Sequence, residues 1–187
     1  MDQNTFNSEI KRFEQMHFNI YDELKKRPQD FYMEKQMLYP GKFYVFKYTT
    51  DNKKLFDLWP IVLSLGPDAS NSKAFWCMNF KYMPRPVREK VVAYIMKVFG
   101  KEIDSASTKY PYPLDVWRQE PIYTCNYDNV KALLDDLGWR QALHKYLADR
   151  IVECYCIPYN LVPGLVLDDT DTFINGGIRL AQTPTKV

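Results

Sequence analysis

The sequence predicts an α+β fold: a small antiparallel SH3-like barrel or sheet with packed helices and long N- and C-terminal extensions. Three features carry that expectation. Apolar residues recur at helical spacing over 5–26, 86–99 and 128–137, the period of one buried helix face. The period falls to two over 42–50 and 150–157, where β-branched and aromatic residues gather, as strands require. Strands expected at 42–50, 58–65 and 74–82 follow one another through short turns, which is the pattern of an antiparallel meander. The chain accordingly divides into a helix and linker at 1–39, a core domain at 40–160 and an extension at 161–187.

Residues 5–26 read as one amphipathic helix with Phe6, Ile10, Phe13, Ile20 and Leu24 on its stripe. Asn4 or Thr5 suits its N-cap, Lys25, Lys26 and Arg27 complement the negative end of its dipole, and Pro28 ends it. Pro40-Gly41 then marks a turn into the first strand. There Phe43, Val45 and Lys47 share one face and Tyr44, Phe46 and Tyr48 the other. Both faces are largely apolar, so both are expected to be covered. Gly66-Pro67-Asp68 is expected to break the second strand. Met83-Pro84-Arg85-Pro86 opens the helix at 86–99, whose stripe is Val87, Val91, Tyr94, Ile95 and Val98. The stretch 101–121 shows no regular period and contains Pro111, Pro113 and Pro121; irregular loops of that length usually serve binding. A short strand at 122–126, helices at 128–137 and 139–148, a strand at 150–157 and a hairpin about Asn175-Gly176 complete the expected elements.

Composition narrows the chemistry. Lys+Arg 25 against Asp+Glu 23 gives a net charge of +2, too small an excess for bulk polyanion binding. No apolar run is long enough for a membrane span, and the N-terminus has no secretory pattern. His17 and His144 both fall mid-helix in this reading, and neither lies near a nucleophile-elbow sequence. The carboxylates of Asp168-Asp169-Thr170-Asp171 lack the spacing of a calcium loop, and Glu23-Leu24-Lys25 lacks the acidic strand partner of a metal-dependent nuclease. Cys77 and Cys125 are isolated. Cys154 and Cys156 would share one strand face about 6–7 Å apart, an awkward spacing for a mutual disulfide, so all four read as small buried hydrophobes. The chain is therefore expected to be non-enzymatic, with no cofactor and no metal.

What stands out is aromatic: Tyr 14, Phe 11, Trp 4. Two binding readings use this excess. Tyr44 and Tyr48, interleaved with Lys47, are candidate nucleic-acid contacts, since strand aromatics make stacking platforms for single strands. Tyr110, Tyr112 and Trp117 on the proline-rich loop are candidate subunit-interface residues, because Tyr and Trp dominate interface hot spots. An assembly subunit accounts for the loop, the terminal helix and the polar arm beyond Leu180 together.

Three segments taken as an ordered set point further: Pro40-Gly41-Lys42-Phe43-Tyr44-Val45-Phe46-Lys47-Tyr48, Trp59-Pro60-Ile61-Val62, and Met78-Asn79-Phe80-Lys81-Tyr82-Met83-Pro84. This set resembles small structural proteins of tailed bacteriophages, and most closely the neck ring proteins of crAss-like phages. The resemblance spans about residues 40–99 and carries no catalytic residue. It implies a virion component assembled in the bacterial host cytoplasm: a homo-oligomeric head–tail connector ring adjoining the portal or other neck and tail proteins, around a channel for packaged DNA, with no membrane partner. The alternative is a DNA-contacting module, such as a protector of packaged DNA ends.

Overall fold

The structure, a computed structural model, describes residues 2–26, 28–33, 37–50, 58–100 and 121–167. Within these the fold is α+β. Five strands, β1 (Phe43–Tyr48), β2 (Ile61–Asp68), β3 (Asn71–Asn79), β4 (Leu143–Leu147) and β5 (Ile151–Ile157), form one antiparallel sheet in the order β4-β3-β2-β1-β5. β1 is an internal strand, buried at every position except Lys47, as its two apolar faces dictate. It pairs with β2 (Tyr44↔Val62) on one side and with β5 (Tyr44↔Cys156) on the other.

The sheet is open, with β4 and β5 at its edges, so the expected barrel closure by strand pairing is absent among the described residues. It is nevertheless strongly curled. Flat, a five-stranded sheet would set its edge strands about 19 Å apart. Yet β4 and β5 are joined only by a single 3-10 turn, Ala148–Arg150, and such a link spans at most about 14 Å even when extended. The curl brings β1 and β4 together on the concave side. The Tyr146 ring lies edge-on to Phe46 at 5.1 Å and to Tyr48 at 5.0 Å, and the Leu147 N–H donates to the Tyr48 hydroxyl at 3.3 Å.

Among the described residues five α-helices flank the sheet: α1 (Gln3–Gln15), α2 (Ile20–Lys26), α3 (Pro28–Phe31), α4 (Arg85–Val98) and α5 (Tyr127–Asp136). α1 and α4 pack on a 3-10 segment, Tyr159–Val166, that follows β5. Apolar side chains of helices, sheet and this segment merge into one core.

Four expectations are corrected. The helix expected at 5–26 is two helices, because His17 takes φ 48° and Asn19 then caps α2, its side-chain oxygen accepting from the Tyr21 and Asp22 N–H groups. The buried stripe survives as Phe6, Ile10 and Phe13 on α1 and Ile20 and Leu24 on α2. The helix expected at 139–148 is a short 3-10 turn followed by β4: Ala142, His144 and Tyr146 also alternate with Leu143, Lys145 and Leu147, and the edge of β3 takes that second period as its partner. Gly66-Pro67-Asp68 does not end β2, which continues through register shifts to Asp68. Residues 122–126 form a turn rather than a strand; the Ile122 N–H donates to the Pro40 carbonyl. The hairpin about Asn175-Gly176, the acidic stretch 168–171 and the loop residues Tyr110, Tyr112 and Trp117 lie outside the described residues.

Candidate functional site

A groove of about 540 Å³ lies between α2 and the convex face of the sheet. Its floor follows from register. Val45 of β1 lies opposite Tyr155 of β5 and Lys47 opposite Glu153, so these four side chains share the face turned away from the concave aromatic cluster. Above them, the amphipathic period of α2 places Leu24 toward the sheet and leaves Tyr21 and Lys25 at the rim, with Pro28 just beyond. The Tyr21 hydroxyl donates to the Trp59 carbonyl at 2.8 Å, which ties α2 to the chain entering β2.

The groove walls are aromatic and its rim is cationic. Trp59 and Tyr155 are half-buried, and Tyr155 meets the Tyr32 ring edge-on at 5.6 Å. The Lys81 ammonium lies 5.1 Å from the Tyr21 ring and the Lys47 ammonium 5.9 Å from the Trp59 ring, within the range of cation–π attraction. Glu153 is the acidic lining residue, and Lys47 sits 3.7 Å from its carboxylate. Burial, followed by the neighbouring Glu153 charge, pushes the Tyr155 hydroxyl above its ordinary pKa, so it stays a neutral donor. Such a surface can bind an apolar or planar group with a negative charge beside it.

The residues singled out from sequence fall elsewhere. Tyr44 and Tyr48 are 0% and 3% exposed, and both hydroxyls are engaged internally, Tyr44 by the Tyr39 N–H and Tyr48 by the Leu147 N–H. Their face is the concave side of a curled sheet, so neither ring offers a surface for a base, and the stacking-platform reading is corrected on that ground. Glu23 pairs with Lys26 at 2.6 Å on the surface of α2. His17 is exposed in the α1–α2 turn. His144 packs on the Tyr82 ring at 4.1 Å; burial pushes its pKa down to about 4, opposed by a hydrogen bond with the Gln141 backbone. The four cysteines are buried free thiols. Burial raises the pKa of Cys77, Cys154 and Cys156, that of Cys156 to about 12, and so holds them as unreactive thiols. Among the described residues no group of three His, Cys, Asp or Glu is placed to hold a metal ion, and no helix is long and apolar enough to cross a membrane.

The groove itself was not anticipated. Tyr21, Trp59 and Tyr155 come from three distant segments, and only the pairing of β1 with β5 and the tie from α2 bring them together. The one local signal was Asn19, three residues before Asp22, a helix-start pattern that would have split the first helix and placed α2 separately. Compared with protein-family models, with curated proteins and with solved structures, the chain matches none.

Proposed function

We propose that the chain is a structural virion protein of a tailed phage, a subunit of a head–tail connector ring adjoining the portal. The observation that carries this reading is where the three resembling segments lie. Tyr44 pairs with Val62 and Val62 with Asn79, while Phe43 pairs with Leu63 and Leu63 with Met78. Segments separate in sequence thus form one continuous band across β1, β2 and β3, and that band continues through Tyr82 and Pro84 into α4. What resembles the neck ring proteins is therefore one contiguous part of the sheet rather than scattered similarity, and it suits a subunit whose role is shape.

In this reading Tyr110, Tyr112 and Trp117 supply the contact to the next subunit, and packaged DNA passes through the channel. Native mass measurement of the purified chain, alone and with the portal of the same phage, tests it. A closed ring, alone or on the portal, is expected; a monomer under both conditions overturns the reading. Trp117→Ala is expected to weaken each ring contact by at least ~2 kcal/mol, as loss of a hot-spot aromatic does, with the thermal midpoint of the isolated subunit unchanged. A Trp117→Ala protein that assembles like the parent removes that residue from the contact.

A further inference from the structure

We infer that His17 is a hinge at which α1 and α2 join into one continuous helix, carrying α1 off its own body and onto the same face of a second copy of the chain. The inference goes beyond the ring reading and does not rest on it, since a dimer that exchanges α1 satisfies it as well as a ring does.

The break between α1 and α2 is a helix stop built on a residue that suits it poorly. The His17 N–H donates to the Glu14 carbonyl and the Phe18 N–H to the Phe13 carbonyl, each at 3.1 Å, and the Phe18 ring meets Phe13 edge-on at 4.7 Å. These are the paired bonds and the hydrophobic contact of a Schellman stop, whose left-handed position glycine ordinarily fills. Here that position is held by His17, at φ 48° the one non-glycine residue with positive φ among the described residues, and a side chain is penalised there. No glycine or proline interrupts residues 3–26. At 3.6 residues per turn, Phe6, Ile10, Phe13, Ile20 and Leu24 fall within about 80° of one another, so a straight helix keeps all five on one stripe. The local sequence thus supports two states of the same segment.

Packing determines what the straight state does. In the bent state α1 lies on α4 and the Tyr159–Val166 segment with Phe6, Ile10 and Phe13 buried, and Glu14 pairs with Arg85 of α4. Phe18 packs on Gly164, where an added Cβ would come within 2.6 Å of its ring. α2 is anchored separately, by Ile20 and Leu24 and by the Tyr21 hydroxyl on the Trp59 carbonyl. Straightening therefore leaves α2 seated and lifts α1 alone, its tip roughly 26 Å beyond Ile20. Phe6, Ile10 and Phe13 then face water, and so does the surface they covered, which is unfavourable for both. A second copy that has released its own α1 offers the same surface, and every contact of the helix is remade between chains. The exchange gives up the Phe18 contact on Gly164 and relieves His17 of its left-handed backbone. Phe18 thus keeps the isolated chain bent, and a high concentration of copies favours exchange.

Two populations of the full chain test this, one carrying Glu14→Cys and the other Arg85→Cys, unfolded together in urea, refolded and treated with a short bismaleimide. Both positions are part-exposed, at 42% and 46%, and the native cysteines are buried. An exchanged α1 brings residue 14 of one population beside residue 85 of the other, so a dimer crosslinked through these two positions is expected. His17→Gly in both populations removes the left-handed penalty and weakens a continuous helix; it is expected to lower the crosslinked yield about tenfold. His17→Ala favours the continuous helix and keeps the penalty; it is expected to raise the yield about threefold. A merely structural role for His17 would not move the two variants in opposite directions. The thermal midpoint of the His17→Gly monomer is expected to rise, and a fall would mean that His17 carries no strain. That fall, the absence of the 14–85 dimer, or a yield that does not drop with His17→Gly and rise with His17→Ala overturns the inference. Native mass judges the ring separately: a ring without the 14–85 crosslink sinks the exchange and leaves the ring, whereas a crosslinked dimer that never closes into a ring sinks the ring reading and leaves the exchange.

Discussion

At Gly41 the backbone takes φ +79°, and a Cβ there would lie 2.5 Å from Ile122 Cβ and 2.8 Å from its carbonyl oxygen. The residue is held on all sides: its N–H donates to the Ser64 carbonyl, its own carbonyl accepts from the Tyr159 hydroxyl, and Ile122 is bonded to the adjacent Pro40. Gly41→Ala is expected to cost roughly 2–4 kcal/mol, combining the left-handed backbone penalty with overpacking. Gly138→Ala, at φ +73° with no atom within 4 Å of the added carbon, is expected to cost only the backbone part, about 1–2 kcal/mol. Urea unfolding midpoints at unchanged m-value compare the two; equal losses would mean that Ile122 yields freely. His144 gives a pH signature of definite sign. Its pKa falls from 6.5 to about 4 on burial, so between those values the unfolded chain binds the proton more readily than the folded one. The stabilisation from keeping it neutral is complete above pH 6.5 and is lost as pH falls toward 4, at roughly 1.4 kcal/mol per unit and at most about 3 kcal/mol in all. His144→Phe is expected to flatten the stability profile between pH 6.5 and 5 relative to the parent, the carboxylates contributing equally to both; parallel profiles would contradict it.

The junction between β3 and α4 depends on one side chain. Asn79 ends the strand, its oxygen accepting from the Lys81 N–H at 2.9 Å and its amide donating to the Tyr146 hydroxyl at 3.0 Å, in a fully buried setting. Asn79→Ala removes the amide that donates to the Tyr146 hydroxyl and opens the turn, with an expected cost of about 1–2 kcal/mol. Chemical denaturation measures it, and a loss under about 0.5 kcal/mol would mean that a water replaces the amide. Elements of this kind were the legible ones. The strands β1 and β5 and the helices α4 and α5 follow from their periods, because each has one dominant pattern. The stretch from Trp139 to Leu147 was illegible because its apolar residues satisfy both periods, and only the unpaired edge of β3 decides between them. Tyr94 and Val98 show the converse: they complete the helical stripe of α4, yet they stay 42% and 47% exposed, since the sheet and the Tyr159–Val166 segment use only the Val91–Ile95 side. Of the groove, the sequence disclosed the face shared by Val45 and Lys47. It could not disclose Tyr155 opposite them, because register between distant strands is a tertiary property.

Taken whole, the molecule buries the aromatic residues of β1 inside a curled sheet and keeps a near-balanced charge, +2 net. Single-stranded DNA is accordingly expected to bind no tighter than about 10⁻⁶ M at physiological salt, with a shallow dependence on salt because few phosphates are neutralised. Filter binding across a salt series checks this. Submicromolar binding lost in Tyr48→Ala, with folding intact, would instead support the DNA-contacting alternative and require the sheet to open.

The pairing of β1 with β5 also fixes an order of events while the chain is being made. Phe43 and its partner Ile157 are more than a hundred residues apart, and at about 5–20 residues per second the ribosome needs on the order of 5–20 s to deliver the second after the first. Throughout that interval the β1–β2–β3 meander carries an unpaired, apolar edge, the kind of template that invites a second nascent chain. The three-residue turn between β4 and β5 shortens the end of that wait: once β4 has docked on β3, β5 emerges already beside β1, so the last two strands are added almost as one.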